Sequence, residues 1–115
     1  MSQPLAPDAV GVRADAVAAA VLRCPDVVAL SDGRIGEVAS YLPGRRIAGV
    51  RVGADGDLTV HVVGRYGSTV AALVVQVRAA VHAAVGPTTV HVGVDDLLVV
   101  PPVRPGIAVD ASRVR

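Results

Sequence analysis

The sequence predicts an α+β domain, a two-layer sandwich with element order α-β-β-β-α-β and both helices packed on one face of a small mixed sheet. Three observations carry this. Two stretches repeat apolar residues at helical spacing. Several others alternate, or run short and rich in valine. Glycine, proline and aspartate gather between them.

Each element follows from its residues. Asp8 can cap a first helix running to about Arg23, with Val10, Val17, Val21 and Cys24 on one stripe, Asp15 and Arg23 on other faces, and Pro25 ending it. Residues 27–30 form a short strand, stopped by Ser31-Asp32-Gly33. Ile35, Val38 and Leu42 have one-sided spacing and suit a brief helix or packed loop closed by Pro43-Gly44. Residues 47–52 and 58–64 are strands joined across Gly53-Ala54-Asp55-Gly56-Asp57, a hairpin loop. Ser68 or Thr69 caps a second helix whose Val70, Leu73, Val74, Val77, Val81 and Val85 make a continuous apolar stripe, and Gly86-Pro87 stops it. Residues 88–94 alternate as a last strand. The expected organisation is a flexible N-terminus over 1–7, one domain over 8–99, and a proline-rich extended or disordered tail over 100–115.

Composition narrows the function classes. In 115 residues there is no Phe or Trp and only Tyr41 and Tyr66 are aromatic, so the core must be built from many small pieces of Val, Ala, Leu and Ile. Net charge is +1 with acids and arginines interspersed, which gives no positive face for duplex DNA. The single cysteine, Cys24, excludes an internal disulfide and a four-cysteine zinc site. The stretch 69–85 is broken by Gln76, Arg78 and His82 and is too short to span a bilayer, and residues 1–7 lack the pattern of a secretory signal. A cytoplasmic protein is the expectation.

Candidate chemistry centres on "SDGRIGEVASYLPGRR", residues 31–46. Gly33-Arg34-Ile35-Gly36 matches the Gly-x-x-Gly loop with which KH-type domains clamp single-stranded RNA, helped here by Arg34, Arg45 and Arg46. The competing account is a tight turn whose glycines supply positive φ. Arg45-Arg46 could bind phosphate or carboxylate, or contact a protein. Glu37, the sole glutamate, has nothing nearby in sequence to tune it as a base. His61 and His91 should share the outer sheet face, where a two-histidine metal site is conceivable without an evident third ligand. Asp95-Asp96, as strand neighbours, should point to opposite faces. The serines, Ser31 among them, lack a nucleophile context, and Cys24 falls on an apolar stripe. No enzyme, metal or cofactor is expected.

Three segments together resemble the alkaline shock protein family of envelope stress response proteins, particularly its actinobacterial members. They are "DGRIGEVASYLPGRRIAGVRV", then "VHVVGRYGSTVAALVVQVRAAVHAAV" with Tyr66-Gly67 and Gln76-Val77, then "TVHVGVDDL". The resemblance runs from about Ala14 to Leu98. It implies a non-enzymatic cytoplasmic protein of cell-envelope homeostasis. Such a protein self-associates and is held at the inner membrane face by a membrane-anchored relative. The interaction residues expected on this basis are Gly33, Arg34, Gly36, Glu37, Tyr41, Arg45, Arg46, Arg65 and Tyr66. A KH-like RNA-binding module using Gly33 to Gly36 is the alternative.

Overall fold

The computed structural model describes residues 7–100; the expected flexible N-terminus, apart from Pro7, and the proline-rich tail from Pro101 lie outside them. The elements are α1 (Pro7–Leu22), β1 (Val27–Leu30), β2 (Ala39–Leu42), β3 (Arg45–Ala48), β4 (Val50–Val52), β5 (Leu58–Arg65), α2 (Val70–Val85) and β6 (Val90–Leu98). The α+β class and the expected order of elements hold. Within that order, the first half of the segment expected as a brief helix or packed loop is a loop and its second half is strand β2. The strand expected over 47–52 is divided at Gly49 into β3 and β4. Gly49 has φ +85, and a side chain there would collide with Leu30 Cβ at 2.7 Å. The chain turns at this point because glycine alone fits.

β5 is the axis of the main sheet. Along one edge it pairs in parallel with β6, the two joined through α2. Along the other it pairs antiparallel with β4 over its first half and with β1 over its second. β2 and β3 form a separate antiparallel hairpin, Leu42 facing Arg45 across Pro43-Gly44. A two-residue turn with Pro first and a positive-φ Gly second (Gly44, φ 77) closes it.

The two layers follow from alternation in β5. Leu58, Val60, Val62 and Gly64 are buried, whereas Thr59, His61, Val63 and Arg65 keep partial exposure. Against the buried face lie Val17 and Val21 of α1 and Leu73, Val77 and Val81 of α2, all fully buried. Thr69 caps α2, its hydroxyl accepting from the N–H of Ala72 at 3.0 Å, and Gly86 closes the other end. α1 begins at Pro7, one residue before the expected cap Asp8, in keeping with proline's fit to a helix's first turn. The opposite sheet face carries polar side chains and no helix among the described residues.

Candidate functional site

The segment 31–37 leaves the main sheet at the end of β1 and returns into the hairpin. Both of its ends are fastened. Ser31 N–H donates to His61 O at 2.8 Å, Val38 N–H to Asp32 O at 2.9 Å, and Gly49 N–H to Val38 O at 2.8 Å. Gly33 and Gly36 have φ of 86° and 77°, so both glycines serve a left-handed backbone. The loop joins two strands, β1 and β2, rather than the two helices that flank a KH clamp.

Inside this loop the concavity that would cradle an anion holds the carboxylate of Glu37. Its Oε1 accepts the N–H of Ile35 at 3.1 Å, and it lies so close under Gly33 that a Cβ there would be 2.6 Å from Oε1. A phosphate would have to displace a like-charged group that is covalently part of the loop. The protein has supplied its own anion.

The arginine pair is committed in the same way. Arg46 Nη2 bonds Asp32 Oδ2 at 2.6 Å, its Nε donates to the Tyr41 hydroxyl at 3.4 Å, and its guanidinium lies 5.6 Å from the Tyr41 ring centre. Tyr41 and Arg46 are opposite one another in the hairpin, which is why they meet. Arg45 makes a two-pronged pair with Asp15 of α1, at 3.0 and 2.7 Å, pinning the hairpin to the helix. The hydrogen bond from Arg46 holds the Asp32 carboxyl below its ordinary range, and that from Arg45 does the same to Asp15.

What remains presented to solvent is Ile35 at the loop tip, 87% exposed, with Arg34 beside it and Tyr41 exposed on the hairpin. The structure thus gathers Gly33, Arg34, Gly36, Glu37, Tyr41 and Arg46 into one latched surface, with Arg45 at its edge facing α1. Arg65 and Tyr66 are not part of it. Arg65 ends β5 and Tyr66 follows it; Arg65 N–H bonds Asp26 O just before β1, and Tyr66 N–H bonds Leu98 O.

A polar cluster that sequence reasoning did not assemble lies on the open sheet face. Asp95 is the extra residue of a bulge in β6, between the pairs Val62–Val94 and Val63–Asp96. Its Oδ2 accepts from Ser31 Oγ at 2.6 Å and its Oδ1 meets His61 Nδ1 at 2.9 Å. Bonded to a carboxylate, Nδ1 carries the ring proton. The serine hydroxyl bonds the aspartate and not the imidazole, so the histidine is not placed to take its proton as a hydrolase relay requires. The cluster ties the end of β1 to β5 and β6. His61 and His91 do share this face, but the ladder places His91 opposite Thr59 and His61 opposite Gly93, and His91 instead approaches Asp57 at 3.9 Å. Among the described residues no three His, Cys, Asp or Glu side chains converge as metal ligands.

Cys24 lines a groove of about 420 Å³ between the helices with Ala20, Gln76 and Ala80. Burial pushes its thiol up from the ordinary value, the opposite of the lowered value that marks an activated cysteine. No family model matches the chain, nor does any curated protein or any solved structure.

Proposed function

We propose that this chain is a non-enzymatic interaction protein of cell-envelope homeostasis, one that self-associates and is recruited to the inner face of the membrane by a membrane-anchored protein partner. The observation that carries this reading is the latched loop. Glu37, Asp32 and Arg46 hold it in one shape, and that shape displays Ile35 almost entirely to water. Holding a large apolar side chain outward on an ordered loop is favourable for binding, because little freedom is lost when a partner covers it. The resemblance to the alkaline shock protein family supports the cellular setting. Among the described residues no helix is long and apolar enough to cross a membrane, so attachment through a partner is consistent with the chain as described.

Membrane fractionation of the native cell tests this, comparing the natural chain with Ile35→Asp. The natural chain should co-sediment with membranes and cross-link to a membrane-anchored protein, and Ile35→Asp should reduce both about tenfold or more, the scale of a central interface residue. Equal recovery of the two forms would remove the loop from the reading. A salt-sensitive complex with single-stranded RNA, weakened by Arg34→Ala, would instead favour the KH-like alternative.

A further inference from the structure

We infer that β6 carries the self-association interface: its outer edge pairs antiparallel with β6 of a second copy about a two-fold axis through Gly93. The inference rests on the self-association proposed above and locates it.

β6 borders the main sheet, and no strand among the described residues covers its far side. Which of its groups face outward follows from the ladder. Leu58 N–H donates to Thr89 O, so residues 89, 91 and 93 turn their backbone groups toward β5, and Val90, Val92 and Val94 turn theirs away. Beyond the bulge the parity reverses, since Tyr66 N–H donates to Leu98 O, and Leu97 faces outward.

Two of these outward positions are capped by side chains. Arg78 of α2 donates to Val90 O from Nη2 at 2.9 Å and from Nε at 3.3 Å. Leu97 N–H donates to Asp96 Oδ1 at 2.8 Å. Caps of this kind are how an edge is kept from pairing. Between them the outward groups of Val92 and Val94 have no such cover.

That window fits a copy of itself. An axis through Gly93 sets Val92 opposite Val94 of the second copy, so each pair exchanges both backbone hydrogen bonds from the uncapped groups. The same register sets His91 opposite Asp95 of the second copy, twice, at the closer non-hydrogen-bonded spacing, where an imidazole faces a carboxylate and like groups are not opposed. A shift by two residues either way loses this pairing.

The helix above reinforces the seam. Ala71, Val75, Arg78 and His82 fall on one stripe of α2. Arg78 reaches Val90 O and His82 meets Thr88 O, so this stripe overhangs the β6 edge. Val75 is 67% exposed there and would be covered by α2 of the second copy.

Sedimentation velocity of the full chain over a wide concentration range tests the assignment, with Val92→Pro and Val75→Glu. Proline at 92 removes an outward N–H that β5 does not use; glutamate at 75 sets like charges across the axis on a residue the fold leaves exposed. The natural chain should form a dimer, and each variant should weaken it about tenfold or more. At concentrations where the natural chain is monomeric, Val75→Glu should keep its melting midpoint, so it decides the matter even if Val92→Pro fails to fold. A natural dimer that Val75→Glu leaves intact overturns the β6 interface but leaves self-association standing. A strict monomer at every concentration overturns both.

Discussion

Gly93 is glycine because His61 occupies the place of its side chain. A Cβ at 93 would stand 2.6 Å from Nε2 and 2.7 Å from Cε1 of that ring, inside any real contact. Gly93→Ala must therefore push the imidazole off Asp95, and overpacking of this kind costs about 1–3 kcal/mol. His61→Ala loses its bond to Asp95, a change of about 1 kcal/mol. With both changes present the methyl finds the space vacated by the ring. The double variant should then be about as stable as His61→Ala alone, by urea denaturation; strictly additive losses would show that the contact is not what makes residue 93 a glycine. The cluster was hidden from sequence reasoning for a specific cause. Ser31, His61 and Asp95 each carry an unremarkable local context, and only the bulge at Asp95 turns that carboxylate to the other two. The Gly33–Gly36 turn and the exposed arginines of the loop could be located from spacing, but that Glu37 fills the turn depends on a fold of the backbone that spacing does not encode.

At the level of elements, the β2–β3 hairpin is where sequence and structure part. Ile35, Val38 and Leu42 have the spacing of a helical face, yet Val38 is buried and Ile35 is almost fully exposed, so they do not share one. The turn chemistry of Pro43-Gly44 and the antiparallel pairing it permits outweighed a weak period. Helix α2 and strand β5 were legible because their stripe and alternation run long enough to leave a single interpretation. The hairpin is seated by Ile47 in the core, by Leu42 packed against it, and by two ion pairs at its exposed rim. Asp15 and Asp32, both exposed, have carboxyls held low by Arg45 and Arg46. For a carboxylate whose folded value lies below its unfolded one, the contribution is present above the unfolded pKa of about 3.9 and is lost as pH falls through the folded value. Acidification below about pH 4 should therefore loosen the hairpin and the 31–37 loop before the core. Amide exchange should then rise at Leu42 and Ile47, whose N–H groups bond within the hairpin, while Val60 and Val77 stay protected. Equal protection in both regions down to global unfolding would show that packing, not these pairs, seats the hairpin. Arg45→Ala should raise exchange in the hairpin at neutral pH as well, since Asp15 then has no partner there.

Over the whole molecule, stability comes from one core of small side chains shared by both layers, with no aromatic residue in it. Such a core has many contacts and no dominant one, so its tolerance depends on how closely each pair of facing residues is fitted. Leu73 and Gly64 are one closely fitted pair: Leu73 is fully buried, and a Cβ on Gly64 would overlap its Cδ1. Leu73→Ala should cost about 2–5 kcal/mol, transfer loss plus the cavity left behind. Gly64→Ala should cost about 1–3 kcal/mol for the opposite reason, too much volume. A domain of this size has about 5–15 kcal/mol to lose, so either change alone brings it near the threshold. In the double variant the new methyl projects into the space that the leucine leaves, so the two losses cannot add. The urea midpoint of Gly64→Ala/Leu73→Ala should lie above the value that summing the single variants gives, with an unchanged slope, because the same surface is exposed when both layers unfold together. Simple additivity would place Gly64 and Leu73 out of contact, and a reduced slope would mean that the two layers do not unfold as one.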